Sequence, residues 1–157
     1  MIVAMWVVVL GLGVFLVNQH LEKQRNPNNK VVTSDIDGKR SIELQRSRYG
    51  HYVVTGTINN ASVDFLVDTG ASSVSVPADF ADRIGLPRGN PIQISTANGI
   101  GIAYKTRINR LRIGELEVEN VTAHINPGLS DEVLLGMSIL KHYELIQRGD
   151  TLIIREP

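Results

Sequence analysis

The sequence predicts an all-β domain of mostly antiparallel strands with one or two short helices, preceded by a transmembrane helix. Two observations predict the domain: β-branched and apolar runs recur at roughly eight to twelve residue spacing, and turn residues separate them. A third predicts the helix, since residues 1–17 form an uncharged apolar run. At 157 residues and 43% hydrophobic content, the chain is long enough for one domain with a real core.

Composition excludes several kinds of partner. The formal net charge is zero and the basic residues are scattered, so we expect no nucleic-acid partner. There is no cysteine, and the four histidines have no metal-ligand spacing. The sequence therefore predicts neither a metal site nor a cofactor.

The N-terminal apolar run is the first predicted element. As a helix, residues 1–17 would reach roughly 25 Å, close to the hydrocarbon thickness of a bilayer. A cleaved signal peptide would need a basic leading region and a small-residue cleavage site, and a buried core helix would have a polar face. We therefore expect a single-pass anchor over residues 1–19.

Residues 20–40 are polar and rich in turn formers, and they predict a tether between the anchor and a domain at 41–157. The membrane side of this domain stays open. Lys23, Arg25 and Lys30 after the span favour the cytoplasm, whereas an uncleaved export signal would place the domain outside.

The domain begins with strands. Ile42 and Leu44 alternate with polar neighbours, and residues 51–58 are rich in β-branched and aromatic residues. A tight turn at 59–61 leads to an apolar strand at 63–67.

Proline, glycine and turn residues predict where the later elements begin and end. Pro77 and Gly85 bound a short helix. A strand is expected at 133–135, followed by a second short helix after Gly136. The chain closes as a hairpin around Gly149. Further strands are expected at 91–96, 100–108, 110–114 and 116–125, with hairpin turns at 98–99 and 114–115.

Asp68, Thr69 and Gly70 stand where the strand at 63–67 must turn, and each residue type has a separate use. The carboxyl group of Asp68 can act on a water molecule, and the Thr69 hydroxyl can fix the loop. Gly70 lets another backbone approach closely. We also expect Ser72 to donate a hydrogen bond to the carboxylate. Taken alone, the tripeptide is also an ordinary turn.

Two segments together resemble the retropepsin family of aspartic proteases. They are FLVDTGASS at 65–73 and the apolar-apolar-glycine segment VLLG at 133–136. The resemblance covers roughly residues 41–154 and implies a retropepsin-like half-barrel. The membrane span followed by one such domain is similar to bacterial single-domain, membrane-anchored members, which implies a bacterial inner membrane location.

The resemblance implies an aspartic endopeptidase in which Asp68, Thr69 and Gly70 form the catalytic loop. Water would be held between two aspartates that share one proton. Only one such loop is present, because Leu152 stands where an Asp150-Thr151 loop would need glycine. The resemblance therefore implies a homodimer with one Asp68 from each chain, acting on a peptide or protein substrate. Retroviral relatives interleave their terminal strands in such dimers.

Residues Asn98 and Gly99 are the candidate substrate-binding flap. An Asn-Gly pair is a strong hairpin signal, and a mobile hairpin can close over a substrate. An ordinary structural hairpin is the alternative interpretation. For the whole protein, the alternative is a membrane-tethered peptide-binding module of the same fold with little or no catalysis.

Overall fold

The computed structural model describes residues 2–36, 38–96 and 99–157. In chain order the elements are α1 Ile2–Arg25, β1 Val32–Ile36, β2 Lys39–Gln45, β3 Val53–Ile58, β4 Ala61–Val67, β5 Val74–Pro77, α2 Ala78–Arg83, β6 Pro91–Thr96, β7 Gly99–Ile113, β8 Leu116–Asn126, β9 Val133–Leu135, α3 Met137–Leu140, β10 Glu144–Arg148 and β11 Thr151–Arg155. The domain is mostly β, as the sequence predicts.

The larger sheet curls into a barrel. Its strand order is β3-β4-β9-β5-β8-β7-β6, and an additional pairing of β3 with β7 closes the ring. Most pairs are antiparallel, while β4 with β9 and β5 with β8 are parallel. Fully buried side chains from opposite walls fill the interior, among them Phe65, Ile58, Ile108 and Ile125.

Local turn chemistry places most hairpins where the sequence predicts them. Asn59 and Asn60 take positive φ values of 48° and 72° between β3 and β4, a conformation that asparagine tolerates better than most residues. Gly114 and Gly149 take φ values of 59° at two later predicted turns. One prediction differs: the strands expected at 100–108 and 110–114 form one continuous strand, β7.

The two ends of the domain form the smaller sheet, with strand order β1-β2-β11-β10. Every pairing in it is antiparallel and lies within one chain. Ile42 and Leu44 of β2 and Leu152 and Ile154 of β11 turn their buried side chains towards the barrel. The terminal strands of this chain therefore pair with each other, unlike the interleaved terminal strands of the retroviral relatives.

Residues 20–40 differ from the predicted polar tether. Helix α1 continues to Arg25, and β1 belongs to the smaller sheet. Between them, Asn26 and Asn28 are only 4% and 5% exposed, and we call these two residues the asparagine latch. From the sequence, these asparagines look like residues of solvated turns. In the structure, the amide groups of the latch instead bind polar groups of the domain, which is the physical reason for the difference.

The bonds of the asparagine latch reach three strands. The Asn26 amide donates to Thr55 Oγ1 at 2.8 Å and to Asp64 Oδ1 at 2.9 Å. The Asn28 amide donates to the carbonyls of Gln45 and Val53. These contacts join the end of α1 to β2, β3 and β4.

The apolar part of helix α1, residues 5–21, packs against nothing in the part of the chain that the structure describes. The stretch Met5–Arg25 is long and apolar enough to cross a membrane, and it has a mean hydropathy of 1.4. None of its apolar window is buried inside the domain. Its large apolar side chains are half exposed or more. Such exposure is unusual for a helix in water, because burial of an apolar face is what stabilises most helices.

Candidate active site

Asp68 follows the last residue of β4, where the strand leaves the barrel wall. β4 runs parallel to β9, with Leu66 opposite Leu134 and Val67 opposite Leu135. The Asp68 N–H donates to the Leu135 carbonyl at 3.1 Å, which extends this pairing by one residue. The Asp68 side chain is half-buried, whereas Thr69 and Gly70 are exposed.

The loop after Asp68 is a tight turn closed on the carboxylate. The Gly70 N–H donates to Asp68 Oδ1 at 2.8 Å, and the Ala71 N–H donates to the Asp68 carbonyl at 3.2 Å. The Asp68 carboxylate therefore has a fixed direction set by backbone atoms. In the described residues the carboxylate accepts this hydrogen bond from Gly70, and the hydrogen bond expected from Ser72 is not formed.

The segment after β9 crosses directly behind this loop. The Met137 N–H donates to the Ala71 carbonyl at 2.8 Å, and the Ser138 N–H donates to the Ser72 carbonyl at 3.0 Å. A Cβ placed on Gly136 would lie 2.4 Å from the Ser73 carbonyl oxygen and 2.7 Å from that of Ala71. Glycine is required here because two backbones meet without room for a side chain.

A side-chain contact holds the far end of the loop. Ser73 Oγ lies 2.9 Å from Nδ1 of His124, which belongs to β8. Burial, and secondarily the charge of Lys105, lowers the pKa of His124 below its ordinary value. Sequence reasoning gave His124 no role, since residues 51 positions apart carry no local signal of contact.

The candidate flap is a two-stranded arm. β7 pairs with β6 from Gly99 to Tyr104, and it pairs with β8 only from Tyr104 onward. Gly99 takes a φ of 109°, and its carbonyl accepts a hydrogen bond from Thr96 Oγ1. Ile100 and Ile102 are 75% and 63% exposed on this arm. Asn98 lies outside the described residues.

A solvent-open pocket of about 280 Å³ lies beside β4, on the side of the domain where α1 ends. Leu66 lines it, two residues before Asp68 along the chain. Arg25 and Glu132 line it too, with Arg25 Nε 3.3 Å from Glu132 Oε1. The end of α1 thus forms one wall of this pocket beside β4.

One chain brings one carboxylate of this kind to the loop. Asp150 lies in the turn between β10 and β11, where its 80% exposed side chain pairs with Arg46 at 3.7 Å. Among the described residues, no group of three or more His, Asp or Glu side chains could hold a metal ion.

Comparison with known proteins gives consistent matches. Residues 54–142 match the family described as "gag-polyprotein putative aspartyl protease". A solved structure, a retropepsin-like aspartic protease from Rickettsia conorii, matches with a TM-score of 0.61 and 29% identity. The match covers 81% of this chain and 95% of that one.

Two curated relatives are similar over most of this chain. An uncharacterised protein encoded in the 5′ region of cobV in Sinorhizobium sp. is 33% identical over 135 residues, which is 83% of this chain and 58% of the relative. An uncharacterised protein of Rickettsia prowazekii is 32% identical over 117 residues, or 72% of this chain and 50% of the relative. The chain thus spans 58% and 50% of the lengths of these relatives.

Proposed function

Because the chain belongs to the gag-polyprotein aspartyl protease family and has a retropepsin-like fold, we propose that it is an aspartic endopeptidase. The observation that carries the proposal is the fixed Asp68 carboxylate, which the Gly70 N–H and the β9–α3 crossing hold at the end of β4. The catalytic loop consists of Asp68, Thr69 and Gly70.

The reaction requires two copies of the chain. Each supplies one Asp68, and the two carboxyl groups share a single proton, as two close carboxylates do in aspartic proteases generally. The ionised carboxylate takes a proton from water while the protonated one donates to the peptide carbonyl oxygen. The water oxygen bonds to the carbonyl carbon, and the carboxyl group that took the proton then gives it to the amide nitrogen as the C–N bond breaks. The tetrahedral intermediate returns the other proton to the second carboxylate as the amine leaves.

The exposure of the loop supports this dimer. Thr69 and Gly70 face solvent, so a second copy can approach the carboxylate around a twofold axis without moving the barrel. The contact between the copies differs from interleaved terminal strands, because β2 and β11 already pair within the chain.

The arm of β6 and β7 serves as the flap. Its pairing with β8 begins only at Tyr104, so the arm can move as a unit. Ile100 and Ile102 offer apolar contact to a bound peptide. Closure of such a hairpin excludes water from the cleft and orders the substrate.

Helix α1 is a single-pass anchor in a bacterial inner membrane. Its length and apolar composition allow it to cross, and its side chains find no cover in the described part of the domain. Anchoring two copies in one membrane raises their effective concentration, so a weak contact between domains suffices for activity.

The test uses the full chain in liposomes with a proteome-derived peptide mixture between about pH 3 and 7, the range where a coupled carboxyl dyad changes charge. Wild type should cut peptides, whereas Asp68→Asn should not. Asp150→Asn is the matched control, because it makes the same change in the other Asp-Thr pair and should retain activity. Cleavage by Asp68→Asn at the wild-type rate would contradict the proposal.

Mixing the two kinds of chain tests the shared site. If each active site needs Asp68 from both copies, a threefold excess of Asp68→Asn chains should leave about a quarter of the activity per wild-type chain, by random pairing. If one chain were active by itself, the activity per wild-type chain would stay unchanged in the mixture.

The second candidate is a membrane-tethered peptide-binding module. The presence of one Asp68 per chain, together with the exposed apolar side chains of Ile100 and Ile102, favours it. It predicts that wild type and Asp68→Asn bind the same peptides with equal affinity and that neither cuts them.

A further inference from the structure

The loop at residues 46–51, between β2 and β3, lies against the last turns of α1. The Arg48 N–H donates to the Gln24 carbonyl at 3.2 Å, and Arg48 Nη1 donates to Gln24 Oε1 at 2.8 Å. The Gln24 amide nitrogen lies 2.7 Å from Nε2 of His20, one turn nearer to the apolar run. A continuous series of polar contacts therefore leads from Arg48 along α1 to His20.

The loop keeps its shape through its own backbone. The Ser47 N–H donates to the His51 carbonyl at 2.7 Å, and the Gly50 N–H donates to the Ser47 carbonyl at 3.0 Å. Gly50 takes a φ of 87°, which glycine adopts without strain in a tight turn. Arg48 and Tyr49 are exposed, with Tyr49 at 68%. The loop therefore presents a guanidinium group and an aromatic ring to solvent beside the end of α1.

The Arg48 guanidinium lies near the level of phospholipid headgroups when α1 crosses a membrane. His20 and Gln24 lie about 4.5 and 10.5 Å beyond Val17, the last residue of the apolar run, at about 1.5 Å per residue. A headgroup layer is about 5 to 7 Å deep. An average helix tilt of about 20° changes the level of a group about 10 Å from the helix axis by only about 3 Å. Lipid phosphates are therefore within reach of Arg48.

The charges around Arg48 favour an anionic surface. Its side chain binds the neutral amide of Gln24, and neither Arg48 nor Lys23 forms an ion pair within the described residues. Lys23 follows His20 by three residues and lies on the same side of α1. Glu22 lies two residues before Gln24 and faces another side of the helix. The surface beside Gln24 therefore carries positive charge that no described carboxylate neutralises.

We propose that Arg48 binds the phosphate of an anionic phospholipid, so that the loop at 46–51 rests on the membrane surface beside α1. A guanidinium group can hold a phosphate with two parallel N–H···O bonds, and Gln24 Oε1 takes one of its five N–H groups. Tyr49, next to it, is of a residue type enriched at membrane interfaces. This inference rests on the proposed anchoring by α1 and does not depend on catalysis.

The test follows the loop with a tryptophan at position 49 in full-length protein reconstituted into vesicles. Trp6 is the one natural tryptophan, so the reporter chain carries Trp6→Phe and Tyr49→Trp. One kind of vesicle contains phosphatidylcholine, and the other contains phosphatidylcholine mixed with phosphatidylglycerol. Both contain the same small share of a lipid with a spin-labelled headgroup, which quenches tryptophan fluorescence at short range.

The ratio of quenched to unquenched tryptophan should be about fivefold higher with phosphatidylglycerol, the effect of one cation near an anionic surface. Arg48→Gln should remove this difference, whereas Arg48→Lys keeps the charge and should retain most of it. Arg107→Gln is the matched control, because Arg107 is an exposed residue of β7 that forms no ion pair within the described ranges. This control should keep the full difference.

Flotation of the same vesicles separates the two possible failures. If the protein floats with both kinds of vesicle but is quenched equally in them, or if Arg48→Gln leaves the difference unchanged, the inference is wrong while the anchor stands. Equal quenching is also the result expected if the loop binds an acidic protein instead of lipid. If the protein does not float, the proposed anchor fails and the inference fails with it.

Discussion

Replacing Gly136 with alanine should displace the Asp68 loop from the segment that crosses behind it. A Cβ at this position would lie 2.4 and 2.7 Å from the carbonyl oxygens of Ser73 and Ala71, and both contacts are with backbone. Overpacking of this kind costs about 1 to 3 kcal/mol. Displacing the loop also weakens the hydrogen bonds that Met137 and Ser138 donate to it, at about 1 kcal/mol each.

The expected loss in free energy of unfolding is therefore about 3 to 5 kcal/mol, measured by urea denaturation of the full chain in detergent. For a domain of this size it corresponds to a fall in Tm of roughly 10 to 20 °C. Gly101→Ala is the matched control, because its Cβ would meet only Ile94 at an ordinary 3.7 Å. Equal stability of the two variants, within about 0.5 kcal/mol, would refute the reasoning from backbone contact.

Three further predictions concern stability and use the same denaturation. Asn26→Ala removes the two hydrogen bonds that the Asn26 amide donates, and should lower the free energy of unfolding by about 2 to 3 kcal/mol. A change in this free energy below about 0.5 kcal/mol would contradict the buried contact. Phe65→Ala leaves a cavity at a fully buried position and should lower the free energy of unfolding by about 3 to 5 kcal/mol. A loss near about 1 kcal/mol would mean that the barrel is loosely packed. Because the pKa of His124 is lowered, the unfolded chain binds its proton more readily, so wild-type stability should fall as the pH drops below about 6.5. His124→Gln should show a smaller fall between pH 7 and 5, and an unchanged pH profile would contradict the assignment.

Local signals sufficed for much of the fold. Hairpins depend on a few adjacent residues, so the pair Asn59 and Asn60 and the glycines at 114 and 149 predicted their turns correctly. The short helix α2 begins after Pro77 and is followed by Gly85 with a φ of 68°, as expected from proline and glycine at the two ends of a helix. Each of these elements forms for reasons contained within about ten residues of chain.

Contacts between distant segments were not predictable in the same way. The latch depends on Thr55 and Asp64, which stand 29 and 38 residues from Asn26, and asparagine beside proline reads locally as a solvated turn. The Asp37-Gly38 dipeptide was the available signal for the hairpin of β1 and β2. For the candidate site, the sequence indicated Asp68 and Gly136, but the crossing of the Gly136 segment behind the Asp68 loop came only from the family resemblance.

The internal pairing of the terminal strands has a consequence for the life of the protein. Because β2 and β11 satisfy each other, a newly made chain can complete its fold without waiting for another copy. Contact with a second copy should add to its stability only at high protein concentration, and the proposed activity should rise with the same concentration. The density of neighbouring chains in the membrane would then control the proposed activity.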